Sequence, residues 1–279
     1  MKYLRYAIFP LVAALLLIAS CKSEFETLLA SNDEEAKYAT AFDCFNLGKY
    51  SKAAQLFESL SQLTDGTARE DTVRYYLGLS NYRFRDFYTA ETNFSDFITK
   101  FPLSPFVPDA MFMRLDCLYR STLRYELDQA PTTKALAAIA TYVEEYPDTP
   151  HAAECLNMIN DLSERLDRKA YEAAKLYYKM EDYLAARVAL KNVLKDDADN
   201  QYREDILYYS AMASYRYALN SVPEKRHDRY LTFQDDYFTF IGEYPDSPYR
   251  HELEVMYKRS QKALGKFTGS DEELELKKD

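Results

Sequence analysis

The chain has 279 residues, of which 45 are acidic and 35 basic, giving a net charge of −10 at pH 7. That balance excludes a nucleic-acid binder working through a basic face. The length suffices for one large domain or for an extended array of small units.

Lys2 and Arg5 precede the apolar run AIFPLVAALLLIAS, which ends at Cys21. The run is shorter than the roughly 20 residues of a spanning helix and is interrupted by Pro10, so residues 1–20 are predicted to be a secretion signal. Ile18-Ala19-Ser20-Cys21 resembles a bacterial lipobox, which implies diacylation of the Cys21 sulfur and a new N-terminus there. The alternative is an ordinary signal cut nearby, with Cys21 an incidental thiol. Two or three acyl chains at about 0.8 kcal/mol per buried methylene make a permanent anchor. Loss of Lys2 and Arg5 with the signal leaves 33 basic against 45 acidic residues, a net charge of −12.

Residues 21–31 read as a short polar tether, and Asn32-Asp33-Glu34-Glu35 as the start of a helix, with a cap and acids in the first turn. Ala41 and Cys44 then fall inside a first helix, and Gly48, Tyr50, Ala53 and Phe57 around a second. Phe87, Ala90 and Phe94 repeat the last three positions 37 residues on, after a helix carrying Leu77, Gly78 and Asn81. Small residues at the crossing points and large ones between them resemble tetratricopeptide repeats.

A third unit starts near Asp109, runs through Met111, Leu115 and Leu118, and takes its second helix from Thr133 to Glu145. The fourth pairs a long helix, about His151 to Met180, with one carrying Tyr183, Ala186 and Leu190. The fifth takes Asp205 to Leu219, an insertion around Pro223 to Asp228, and a helix from about Arg229 to Tyr244. Tyr249 to Leu264 reads as an amphipathic cap, and residues 265–279 as a disordered tail. The expected fold is therefore all-α: a tetratricopeptide-repeat solenoid of about five helix-turn-helix units with a C-terminal capping helix. Repeats 1–3 span residues 32–147, and repeats 4 and 5 with the cap span 148–264.

Phe101-Pro-Leu-Ser-Pro-Phe, Tyr146-Pro-Asp-Thr-Pro-His and Tyr244-Pro-Asp-Ser-Pro-Tyr are three copies of one joint. The first proline ends a helix, Ser104, Thr149 or Ser247 can cap the next, and the second proline suits its first position. Asp197 to Tyr202 fills the same slot without prolines, which predicts a looser joint.

A second signature closes each first helix: Phe45-Asn46, Tyr82-Arg83, Tyr119-Arg120, Tyr178-Lys179 and Tyr215-Arg216. These positions match those that line the concave surface of tetratricopeptide arrays, with Tyr38, Phe42 and Tyr75 alongside. Tyr38, Phe42, Phe45, Tyr75, Tyr82, Arg83, Tyr119 and Arg120 are expected to form a peptide-binding groove, through ring stacking and a cation for a carboxylate. Tyr178, Lys179, Tyr215 and Arg216 carry the same signature in the C-terminal repeats, where the family resemblance named below implies that a partner binds. The competing reading packs the tyrosines between repeats and leaves the bases in solvent.

No catalytic or nucleotide-binding motif occurs, and His151, His227 and His251 stand alone, so no enzyme, cofactor or metal site is predicted. Cys44, Cys117 and Cys155 show no CxxC spacing and fall in apolar helical patterns, as buried small hydrophobes.

The lipobox, the five repeat units, the YPDTP and YPDSP joints, and the stretch from Ala135 to Ala186 together resemble the outer-membrane β-barrel assembly lipoproteins, the BamD family. The resemblance spans roughly Glu34 to Leu264. It implies lipid anchoring at the periplasmic face of the outer membrane, docking on a BamA-like insertase, and binding of unfolded outer-membrane protein precursors, with no nucleic acid. A SusD-like glycan-capture lipoprotein and a generic cell-envelope scaffold are the alternatives. The first is disfavoured by the chain's shortness and by its lack of tryptophan.

Overall fold

The computed structural model describes residues 24–275, with side chains as far as Gly265. Cys21 lies outside them. The described residues form twelve helices and no strand: α1 (Glu24–Ala30), α2 (Glu34–Asn46), α3 (Tyr50–Leu63), α4 (Glu70–Arg83), α5 (Phe87–Lys100), α6 (Val107–Arg120), α7 (Ala130–Glu145), α8 (Ala152–Lys179), α9 (Tyr183–Asp196), α10 (Arg203–Leu219), α11 (Pro223–Glu243) and α12 (Arg250–Glu275). This is the expected all-α succession of helical hairpins followed by a final helix.

The helices belong to two compact units. One holds the chain up to Thr122 together with Ala137–Ala152; the other holds Leu123–Leu136 and the chain from Ala153. In the first unit, Ala41, Ala53, Leu56, Phe57 and Val73 are buried in a core that Phe25, Leu28 and Leu29 of α1 cover. The stretch read as a polar tether therefore includes a helix, because its three apolar residues fall at i, i+3 and i+4. In the next hairpin a Cβ on Gly78 would come within 2.9 Å of the Phe94 ring. Only glycine lets α4 and α5 cross this closely. In the second unit, Tyr208, Met212, Phe233, Tyr237, Phe240 and Leu253 form the main core across α10, α11 and α12.

Three hairpin turns are built alike. Gly48, Arg85 and Glu181 each take a positive φ, of 73°, 70° and 63°. That left-handed residue ends the first helix. Asp86 and Asp182 then cap the second helix, accepting from the amides of Thr89 and Ala185 at 3.1 Å.

The joints between hairpins show why their last residue is aromatic. Phe106 stacks on Tyr75 at 4.5 Å, His151 on Phe112 at 3.7 Å, Tyr202 on Tyr171 at 5.0 Å and Tyr249 on Tyr208 at 4.1 Å, all near parallel. The hydroxyl expected to cap the next helix instead accepts the amide two residues on, Ser247 from Tyr249 at 3.1 Å, closing a turn before the helix begins. Pro105, Pro150 and Pro248 accordingly sit in that turn and not at the first helical position. The proline-free joint is not loosely specified: buried Asn200 accepts from the amide of Tyr202 at 3.0 Å in the same way.

Two boundaries shift. The segment read as an insertion before Arg229 is the first turn of α11, with Pro223 at its start, where a missing N–H costs nothing. The last helix runs to Glu275, into the segment read as a tail.

Candidate interaction surfaces

In the first unit, Tyr38, Phe42 and Phe45 form one stripe on α2 because they fall at i, i+4 and i+7. Phe42 lies 4.9 Å from Tyr38 and 4.7 Å from Tyr76, and Phe45 lies 5.2 Å from Tyr76. All four rings are half-buried. Tyr76 escaped the sequence reading because its contacts come from the neighbouring hairpin, which no local spacing reveals. The Arg69 guanidinium stands 4.9 Å over the Tyr38 ring and pairs with Glu35 at 2.6 Å.

Tyr75 goes inward. It is buried, its ring is stacked on Phe106, and its hydroxyl donates to Asp109. Tyr82 donates to Asp116, a carboxylate only 4% exposed that also accepts from Arg120 Nε at 2.6 Å. Burial, then the bond to Asp116, pushes the Tyr82 phenol up to about 12. The Arg120 guanidinium lies 5.6 Å from the Tyr82 ring centre and 5.8 Å from that of Phe87. Tyr82 and Arg120 thus share one cluster whose anchor, Asp116, the sequence did not single out. Tyr119 is half-buried on the same helix, and Arg83 is exposed and lines a cleft with Lys49, Tyr50 and Arg85.

In the second unit, Tyr178 packs edge-on against Tyr183 at 5.6 Å and Tyr209 at 5.3 Å. Burial raises its phenol pKa, and Arg216 beside it pulls the other way. Lys175 Nζ stands 4.4 Å from the centre of the Tyr209 ring and donates to the Tyr171 hydroxyl at 2.7 Å. Tyr178 and Arg216 therefore meet across neighbouring helices. Lys179 pairs with Glu172 at 3.4 Å, and Tyr215 is buried against Phe233 at 5.1 Å.

Between α8 and α9 lies an apolar groove of about 850 Å³, lined by Leu166, Ala170, Leu176, Tyr177, Met180 and Val193 among others. Leu176, Tyr177 and Met180 are 52%, 43% and 65% exposed, more apolar surface than scattered residues leave. No sequence signal marks it, because an exposed apolar stripe reads the same as one facing a core.

The three cysteines are buried and unbonded, and burial pushes the Cys117 thiol up to about 12, which makes it unreactive. Among the described residues, no group of His, Cys, Asp or Glu is arranged to hold a metal, and no helix is long and apolar enough to cross a membrane.

Hairpins stacked through repeated joints, with rings and cations presented on their surfaces, define a helical-repeat scaffold of tetratricopeptide type. Residues 30–231 match the YfiO family, described as outer membrane lipoprotein, and the chain belongs to that family. It is also 24% identical over 215 residues to the outer membrane protein assembly factor BamD of Caulobacter vibrioides, a match covering 75% of this chain and 70% of that relative. The chain is thus a BamD-like protein of the outer membrane.

Proposed function

We propose that this chain is a non-catalytic, lipid-anchored accessory of outer-membrane protein assembly, held through Cys21 on the periplasmic face, which brings unfolded β-barrel precursors to a BamA-like insertase. The observation that carries the reading is its likeness, over three quarters of its length, to a relative named as an assembly factor. The surfaces suit the task. An extended precursor segment can lay its side chains on the half-buried rings of Tyr38, Phe42, Phe45 and Tyr82, with Tyr119 beside them, while Tyr75 holds the wall from within. A terminal carboxylate would find the Arg120 side chain, which is 46% exposed. Tyr178, Arg216 and the apolar groove between α8 and α9 offer the second unit's surface to the insertase, with Lys179 at its edge and Tyr215 as internal support.

Depletion of the protein tests the role. Accumulation of unassembled barrel proteins and loss of viability are expected. Normal barrel assembly with impaired glycan uptake would overturn the reading in favour of a glycan-capture lipoprotein.

A further inference from the structure

Two hairpin turns of the first unit carry a cluster outside the precursor surface proposed above, and Arg83, expected from the sequence in the peptide groove, lies in this cluster instead. Lys49, Lys52, Arg83 and Arg85 gather around a cleft of about 320 Å³ formed by the α2–α3 and α4–α5 turns. None of the four makes an ion pair with a described residue, although acidic residues outnumber basic ones in this chain. Asp86, next to Arg85, is turned away to cap α5. Beside these cations, Leu47 and Phe84 are 68% and 55% exposed. They hold equivalent places, each directly before the left-handed residue of its turn. Arg85 takes a conformation that its counterpart Gly48 takes freely, so a cation stands where glycine would be easier.

The edge is also tied to the chain's beginning. Lys52 Nζ stands 4.9 Å from the centre of the Phe25 ring on α1. Phe25 is four residues after Cys21, a reach of at most about 14 Å. Exposed apolar tips among unpaired cations, close to an acylated residue, are the makings of an interfacial membrane contact.

We propose that this turn edge rests on the bilayer that holds the anchor, with Lys49, Lys52, Arg83 and Arg85 contacting the phosphates of anionic lipid headgroups and Leu47 and Phe84 entering the interface. The anchor alone would leave the array free to swing; the second contact fixes its tilt. Each cation near an anionic surface strengthens such contact roughly five-fold. The proposal rests on lipidation at Cys21.

The absence of tryptophan supplies the test. The full lipidated chain carrying Phe84→Trp is reconstituted in vesicles of phosphatidylcholine and phosphatidylglycerol with brominated acyl chains. Leu103→Trp, 96% exposed and beyond the far end of α5, about 21 Å away, is the counterpart. Blue-shifted emission, quenched several-fold more at position 84 than at 103, is expected. The difference should shrink without phosphatidylglycerol or with Lys49, Arg83 and Arg85 changed to Gln. Equal quenching at both positions in vesicles that retain the protein would overturn the proposal, as would shielding of position 84 only after an acidic peptide is added. Failure of the protein to float with the vesicles would overturn the anchor itself and the contact with it.

Discussion

The joint at Tyr244–Tyr249 and the one at Asp197–Tyr202 do the same job from different sequences. The first has two prolines and a serine; the second has none of these, and Asn200 stands in for Ser247. Both close a turn by a side-chain oxygen accepting the amide two residues on. In both, an aromatic then stacks on a tyrosine of the preceding first helix, Tyr249 on Tyr208 and Tyr202 on Tyr171. In both, the stacked ring's hydroxyl reaches a carboxylate, Tyr249 to Asp205 at 2.8 Å and Tyr202 to Glu164 at 2.5 Å. The geometry is thus set by the stack and the turn-closing oxygen, and the prolines restrict the unfolded chain.

If so, removing the ring should do the most damage, and equally at both joints. Tyr208→Ala and Tyr171→Ala, at positions 7% and 3% exposed, should each cost about 3–5 kcal/mol in urea unfolding. A much smaller loss for Tyr171→Ala would show the proline-free joint to be the weaker. Next in size are the turn-closing oxygens. Asn200→Ala and Ser247→Ala should each cost about 1 kcal/mol, whereas a loose joint would ignore the first.

Alkaline pH separates the two by mechanism. The phenols of Tyr202 and Tyr249 are both pushed up to about 12. The stability they lend is complete below about pH 10, the ordinary tyrosine value, and is lost as pH rises towards 12. Burial is the leading cause at Tyr202, and the bond to Asp205 at Tyr249. Asp205→Asn should therefore lower the Tyr249 pKa more than Glu164→Gln lowers that of Tyr202, measured by NMR of labelled tyrosine rings.

The smallest effect is a gain. Asp197 has φ −142° and ψ 98°, an extended conformation that a following proline favours. Ala198→Pro, which copies Pro245 into the other joint, should stabilise by about 0.4–1 kcal/mol. A loss there would mean the two backbones differ.

The hairpin succession was legible because Gly78, Ala90 and Phe94 answer a local demand, close helix crossing, that recurs at fixed spacing. The joint prolines were legible too, but not the rings they deliver, since Tyr75 and Phe106 meet only after folding. The same limit split the candidate groove. Tyr38, Phe42 and Phe45 form one helical stripe and met as the spacing implied, while the inward turn of Tyr75 and the partnership of Tyr82 with Asp116 depend on neighbouring helices. Apolar stripes are ambiguous in two places: that of α1 lies in a short polar stretch that reads as a tether, and that of the groove between α8 and α9 reads as core.

The most direct test of the proposed role is a mild-detergent pull-down from envelopes through a tag fused after Asp279, with the bound proteins identified by mass spectrometry. Recovery of a BamA-like insertase in near-equal amount is predicted. A transporter or glycan enzyme in its place, with no insertase, would contradict the account.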